Sequence, residues 1–121
     1  MVIHDGKILG KPGSRDEAIA TINSLSNSTH DVVSGVAISS ADTSVEFSVT
    51  TKVHFSELDS PIIEQYVDRH QPYDKAGSYG IQEWIGIVGI EKIEGSYYNV
   101  MGLPTFEVYQ ALRQSFALEP I

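Results

Sequence analysis

The sequence predicts a single α/β domain in which helices flank a mixed β-sheet. Three observations support this fold class: two helix-start signals, two hairpin signals, and apolar segments of strand length that alternate with helical segments along the chain. No internal repeat and no Pro-, Gly- or Ser-rich linker divides the chain. We therefore assign residues 1–121, the whole chain, to one domain.

The first predicted elements are a short hairpin and a helix. Asp5-Gly6 separates residues 2–4 from residues 7–9, and Asp-Gly between short apolar runs favours a two-residue type I′ turn. Ser14 and Glu17 then have the spacing of a capping box, which indicates a helix start. The apolar stripe of this helix consists of Ala18, Ile19, Ile22 and Leu25.

The middle of the chain predicts a second hairpin and a second helix. Residues 32–38 are rich in branched apolar side chains, and residues 45–50 alternate with period two, so two paired strands are expected around the polar turn 39–44. Ser60 is the expected N-cap of the second helix, with Pro61 at its first position. The apolar face of that helix consists of Ile62, Ile63, Tyr66 and Val67.

The last third begins with a loop. Residues 74–82 are rich in Gly and small polar residues, which is typical of a functional or flexible loop. Residues 84–93 are apolar and interrupted by glycine, and we expect them to be extended. Residues 95–104 are explained by a turn into a helix and by the packing of two tyrosines, and Pro104 opens the last helix.

Composition and charge exclude several classes of function. The net charge of −8 and the sequence pI near 4.8 disfavour binding to nucleic acid or to anionic membranes. The absence of cysteine excludes disulfides, thiol nucleophiles and Cys-ligated zinc. No secretory signal and no apolar run of membrane-spanning length is present, so a cytoplasmic protein is expected. The histidines are expected to be surface or half-buried residues rather than zinc ligands: His4, His30, His54 and His70.

Two segments contain candidate chemistry. Lys11 follows Gly6 and Gly10 and precedes a helix, but the glycine spacing and Pro12 do not fit a P-loop, and a solvated loop lysine is the alternative. The segment 74–82 places an acid, a base and an amide around two glycines that allow a ligand to approach the backbone. A plain turn between a helix and a strand is the alternative there. The polar residues in question are Asp74, Lys75 and Gln82.

Several segments, taken in order, resemble the Maf family of nucleoside triphosphate pyrophosphatases. The matching segments are residues 8–12, 25–26, 30–36, 51–55, 74–82 and 93–104, and the run Tyr79-Gly80-Ile81-Gln82 resembles the branch that acts on dTTP and UTP. The resemblance covers almost the whole chain. It implies an ITPase-like α/β architecture in which water attacks the α-phosphorus of the nucleotide and releases pyrophosphate.

The resemblance also implies roles for individual residues. Lys11 matches the family lysine that faces the phosphates and is the expected catalytic residue. Gln82 matches the glutamine associated with base choice, and its amide can pair with the N3–H and a neighbouring carbonyl of uracil or thymine. Asp74 and Lys75 are further candidates for substrate binding, and no residue is assigned as a metal ligand. The implied partners are a pyrimidine nucleoside triphosphate and a divalent cation, Mg²⁺, and a homodimer is possible.

The family pattern further includes an arginine-bearing phosphate loop and an Ala-Asp-Thr motif, both before the family lysine. Counting back from Lys11 places both before Met1. We therefore expect the chain to correspond to the C-terminal two-thirds of a Maf protein, with a fold that lacks the N-terminal part and with negligible activity on its own. Ala41-Asp42-Thr43 has the same three residue types in the wrong place, and Asp42 is assigned to a turn.

Two alternatives come from other classes of function. One is a non-catalytic nucleotide-binding protein or a regulator of cell division, since the family is also named for inhibition of septum formation. The other is a structural fragment that self-associates through an open sheet edge.

Overall fold

A computed structural model describes residues 1–117, in which one five-stranded sheet is flanked by helices. The strands are β1 (Val2–His4), β2 (Lys7–Leu9), β3 (Thr29–Ser39), β4 (Ser44–Phe55) and β5 (Ile90–Glu94). The helices are α1 (Arg15–Leu25), α2 (Ser60–His70), α3 (Trp84–Gly89), α4 (Tyr97–Met101) and α5 (Thr105–Phe116). A single 3₁₀ turn, Ala76–Ser78, lies between α2 and α3.

The strand order is β2-β1-β3-β4-β5, and every ladder between these strands is antiparallel. The α/β class with flanking helices is confirmed, whereas the expected mixture of parallel and antiparallel pairs is corrected. The reason lies in the connections: β1–β2 and β3–β4 are hairpins, and the helical connections bring β3 beside β1 and β5 beside β4 in the opposite direction. No helix within residues 1–117 is long and apolar enough to cross a membrane.

The local turn and cap signals at the start of the chain are confirmed. Asp5 and Gly6 have φ angles of 50° and 74°, the left-handed region that a type I′ turn requires. Ser14 Oγ accepts the Glu17 amide at 3.1 Å, as expected for an N-cap. The Glu17 carboxylate accepts the amide of Gly13, one residue before the cap, at 3.0 Å. The Glu17 carboxylate therefore bonds the amide of Gly13 instead of the amide of the cap residue Ser14, which the capping-box motif predicts.

Two predicted element boundaries are corrected. Asp59, not Ser60, is the N-cap of α2, although Pro61 lies in its first turn as expected. The segment 84–93 is extended only from Ile90 onward, because α3 occupies its first half. Glycine is required inside α3: a Cβ on Gly86 would lie 1.9 Å from the carbonyl oxygen of Ile81.

The main core lies between one face of the sheet, α1, α2 and the segment that leads into α3. Its fully buried side chains come from α1, α2 and α3, and burying each one stabilises the fold by roughly 1.5–3 kcal/mol. They include Ile22, Leu25, Ile63, Tyr66, Val67 and Ile85. A smaller cluster of Val2, Val32 and Val53 covers the same sheet beside α4. The sheet therefore carries the segment 74–82 on its packed side.

The outer part of the β3–β4 hairpin extends past its neighbours. β1 pairs with β3 only near Asp31 and Val32, and β5 pairs with β4 only from Lys52 onward. Residues 34–50 therefore form a two-stranded ribbon, and none of the ribbon residues is buried. Helices α4 and α5 contact this ribbon.

Candidate functional site

A cleft of about 650 Å³ lies where β1, the middle of β3, the segment 75–82 and α4 meet. Its lining is mixed, with polar and apolar surface in comparable proportion. The apolar walls include Val2, Val32, Val100 and Met101, and the polar lining includes Ser34, Lys75, Gln82 and Asn99. A concave site that combines apolar contacts with placed polar groups suits an organic ligand that carries polar groups.

A polar network beneath the cleft fixes the turn that follows residue 79. The Tyr66 hydroxyl accepts the Gly80 amide at 3.0 Å and donates to Glu83 Oε1 at 2.5 Å. The other oxygen of Glu83 lies 2.8 Å from His70 Nδ1. Burial, together with the hydrogen bond to Glu83, raises the pKa of the Tyr66 phenol, which keeps it protonated as a donor. Helix α2 thus holds the turn that carries Gln82.

A second contact holds the same segment from the sheet. The hydroxyl of Tyr79 lies 2.5 Å from His30 Nε2, and the His30 ring stacks on Phe55 with a centroid separation of 5.5 Å. The expectation that all four histidines lie at the surface or half-buried is wrong for His30, which is 2% exposed. Its position on the core face of β3 accounts for this. Burial lowers the pKa of His30 to about 4, so the ring is neutral near pH 7.

The two glycines of the segment allow close approach between parts of the chain. Gly77 has a φ of +75°, and a Cβ there would lie 3.1 Å from a methyl group of Val2. A Cβ on Gly80 would lie 2.8 Å from Glu83 Oε1 and 2.9 Å from Lys75 Cε. A side chain at position 77 would therefore be strained by the positive φ, and one at position 80 would displace the side chains of Glu83 and Lys75.

The four site residues expected from the sequence fall into two groups. Lys75 and Gln82 both line the cleft. Asp74 is exposed and outside the lining, and its Oδ1 lies 3.3 Å from Lys75 Nζ. Lys11 is also exposed and outside the lining, but the preceding carbonyl, that of Gly10, accepts the Gly77 amide at 3.2 Å. The structure thus places Asp74 and Lys11 beside the segment rather than in the cleft.

The lining contains neither a carboxylate nor an imidazole. Within residues 1–117, no three His, Asp or Glu side chains come together as a metal site would require. Asp42 lies in the turn between β3 and β4, where its Oδ1 accepts the Ser40 hydroxyl at 3.2 Å, as its turn assignment predicts. The described cleft is therefore equipped to bind a ligand but not, from its lining, to take a proton from water.

Asn99 is a lining residue that the sequence pattern does not predict. The packing of two tyrosines is the expectation for this segment, but Tyr97 and Tyr98 contact each other and are 41% and 58% exposed. The buried residue is Asn99, at 0% exposure. The sequence feature that indicates this burial is an asparagine inside an apolar helical segment. A carboxamide there is buried only where it finds hydrogen-bond partners, so such a residue marks a contact with another element.

Comparison with known proteins gives consistent results. A family model described as Maf-like protein matches residues 1–115. A dTTP/UTP pyrophosphatase of Bacteroides fragilis is 51% identical over 114 residues, which cover 94% of this chain and 59% of the relative. The dTTP/UTP pyrophosphatase of Christiangramia forsetii is 49% identical over 94% of this chain and 58% of its own length. That of Cytophaga hutchinsonii is 43% identical over 96% of this chain and 53% of its own. The chain thus spans less than two thirds of the length of these relatives.

Proposed function

The chain belongs to the Maf family, and on that premise we propose that it supplies the nucleotide-binding cleft of a pyrophosphatase acting on dTTP and UTP. The observation that supports this most directly is that Lys75 and Gln82 line one cleft, together with apolar side chains. Relatives that are named dTTP/UTP pyrophosphatase and share about 50% sequence identity with this chain support the substrate class.

The proposed reaction is hydrolysis between the α- and β-phosphates. Water attacks the α-phosphorus, the bond to the bridging oxygen breaks, and the nucleoside monophosphate and pyrophosphate leave. Lys11 stabilises the negative charge that develops on phosphate oxygens, which requires a cation held in place before the reaction. Lys75 is the lysine that lines the cleft, and its ion pair with Asp74 limits where its Nζ can point.

Gln82 selects the base in this proposal. Its side chain is exposed in the cleft, so the carboxamide is free to pair with a ligand. The oxygen accepts the N3–H of uracil or thymine, and the nitrogen donates to a neighbouring carbonyl. A base with the opposite pattern leaves both groups of Gln82 unpaired, which lowers its affinity.

The divalent cation in this proposal is Mg²⁺ that arrives with the triphosphate. The described residues do not fit a preformed cation site, since no cluster of three ligating side chains exists among them. Mg²⁺ is commonly held by substrate phosphates with one or two carboxylates rather than by an all-protein cage. When bound, it neutralises phosphate charge.

The test is a panel of nucleotides whose α,β-bridging oxygen is replaced by an imido group, so that binding is measured without hydrolysis. Calorimetry should show dTTP and UTP analogues binding at least about tenfold more tightly than those of ATP and GTP. Gln82→Leu should remove this preference, whereas Gln65→Leu, an exposed position on α2, should retain it. If a 7-methyl-GTP analogue binds most tightly, the role given to Gln82 is wrong.

Turnover separates the enzyme from the non-catalytic alternative. We would measure pyrophosphate release by a chimaera in which this chain replaces the matched segment of the Bacteroides fragilis relative. Release from dTTP supports the pyrophosphatase. Selective binding without release supports a nucleotide-binding regulator instead.

A further inference from the structure

Glu83 directly follows Gln82 in the chain, but the two side chains make different contacts. Gln82 lines the cleft, whereas the carboxylate of Glu83 contacts α2 and lies outside the lining. The backbone of Glu83 closes the turn that contains Gln82, because its amide donates to the carbonyl oxygen of Gly80 at 3.1 Å. Its own carbonyl oxygen accepts the Gly86 amide at 2.9 Å, at the start of α3. The position of Glu83 therefore determines where Gln82 lies between the turn and the helix.

Two side chains of α2 hold the carboxylate of Glu83, one at each oxygen. The Tyr66 hydroxyl donates to Oε1 at 2.5 Å, and His70 Nδ1 lies 2.8 Å from Oε2. An ionised carboxylate only accepts hydrogen bonds, so Nδ1 is the donor of the second contact. The rings of Tyr66 and His70 stack at 5.0 Å, and only 21% of the Glu83 side chain is exposed. Both hydrogen bonds are therefore largely shielded from water, which strengthens them.

The stem of Lys75 packs beside the same carboxylate. A Cβ on Gly80 would meet both Glu83 Oε1 and Lys75 Cε within 3 Å, so the two side chains share one face of Gly80. Lys75 lines the cleft from this position. Glu83 is thus next to Gln82 in sequence and next to Lys75 in space, although it does not line the cleft itself.

We propose that Glu83 is a positioning residue for base selection: its carboxylate, held between Tyr66 and His70, orients Gln82 toward the base. This proposal rests on the proposed function, in which Gln82 selects the base. Without the carboxylate, the residue that closes the turn is released from α2, and Gln82 is no longer held in one orientation. The loss falls on discrimination between bases, since the phosphates that all nucleotides share do not bind through Gln82.

The experiment measures base preference by calorimetry, as the ratio of affinities for the α,β-imido analogues of dTTP and ATP. This ratio should be at least about tenfold in the unmodified protein and should approach one in Glu83→Ala. Glu83→Gln should retain the preference, because its oxygen can accept the Tyr66 hydroxyl and its nitrogen can donate to Nδ1 in the other tautomer of His70. Glu64→Ala removes an exposed glutamate of α2 and is the matched control, with the preference retained.

The ratio separates positioning from a merely structural role. Ile22→Val destabilises the same core without a contact to the turn, so it should lower the unfolding temperature and leave the ratio unchanged. An unchanged ratio in folded Glu83→Ala would overturn the proposal and leave the proposed function standing. If the unmodified protein itself has no preference for the dTTP analogue, the proposed function fails and this proposal fails with it.

Variants of His70 test the other end of the same contact, and they decide the question if Glu83→Ala does not fold. His70→Phe keeps a ring beside Tyr66 but removes the donor to Oε2, so the ratio should decrease. His70→Asn places a side-chain amide near the position of Nδ1 and should retain the preference. Equal ratios in His70→Phe and the unmodified protein would show that Oε2 needs no partner, which overturns the proposal.

Discussion

The hydroxyl of Tyr66 lies 2.5 Å from Glu83 Oε1 and 3.0 Å from the amide nitrogen of Gly80. One phenol on α2 therefore joins both sides of the turn that contains Gln82. Because Tyr66 is fully buried, its hydrogen bonds fasten the turn to the hydrophobic core. The base-selecting segment of the proposed site is thus positioned by a residue that does not line the cleft.

Tyr66→Phe should loosen this turn. The substitution leaves the Gly80 amide and one Glu83 oxygen without the phenol, and we expect a loss of about 1–3 kcal/mol in the free energy of unfolding. Affinity for thymidine 5′-monophosphate should fall as well. Urea unfolding and calorimetry measure the two effects, and Tyr73→Phe, at a partly exposed position, is the matched control. Unchanged stability would mean that the phenol does not hold the turn.

Lys11→Ala should reduce turnover in the chimaera described above. A donor that stabilises charge on phosphate oxygens typically lowers the free energy of the transition state by a few kcal/mol. Its removal should therefore decrease kcat by at least about tenfold. Lys7→Ala removes an exposed lysine from the neighbouring strand β2 and controls for the loss of a positive charge. Pyrophosphate release from dTTP is the measurement. Equal turnover in the two variants would remove Lys11 from the mechanism.

His30 should make stability depend on pH in the acid range. Its pKa is lowered from 6.5 to about 4 in the folded protein, so the unfolded chain takes up the proton first as the pH falls. Stability from this group is present above pH 6.5 and decreases toward pH 4, by about 2–3 kcal/mol between pH 7 and pH 4.5.

The His30→Gln variant has no titrating group at this position. Between pH 7 and pH 4.5 its free energy of unfolding should therefore decrease by about 2–3 kcal/mol less than that of the unmodified protein. Urea unfolding of both proteins at the two pH values gives the difference. The same pH dependence in both would show that His30 is not the responsible group.

The 121-residue chain by itself should release pyrophosphate from dTTP at a negligible rate. No carboxylate or imidazole lines the described cleft, so no lining group can accept a proton from the attacking water. Groups that act together in catalysis are not additive, and the absence of one removes most of the rate. The assay uses Mg²⁺ and purified chain of verified mass. Turnover close to that of a relative would instead implicate Asp74, tested as Asp74→Ala with Asp42→Ala as the control.

Elements that depend on short-range chemistry could be predicted from the sequence. The turn at Asp5-Gly6 requires two residues that tolerate positive φ, and the start of α1 requires the Ser14 cap, so both could be located from the residues alone. The same applies to the apolar stripe of α2. Lys75 and Gln82 could be assigned to one site because they lie seven residues apart on one segment.

Features that depend on distant contacts could not be predicted. The helix at Trp84–Gly89 forms where Gly86 packs against a carbonyl of the preceding turn, and its apolar composition also suited a strand. Asn99 is buried where carbonyls of β3 and β4, 67 and 50 residues earlier in the chain respectively, accept from its nitrogen. No local pattern around residue 99 contains those partners.

The β3–β4 ribbon implies that local stability changes along two continuous strands. Near Val32 and Val53 the strands lie in a packed sheet, whereas residues 34–50 have no buried side chain and no neighbouring strand on either outer edge. A two-stranded ribbon is only marginally stable on its own, and the packing that this one receives comes from α4 and α5 rather than from further strands. Amides of the ribbon should therefore exchange with solvent through local opening, long before the sheet unfolds. Ser34 and Gly35, at the inner end of the ribbon, line the cleft, so a bound nucleotide should slow exchange there and leave the tip near Asp42 unaffected.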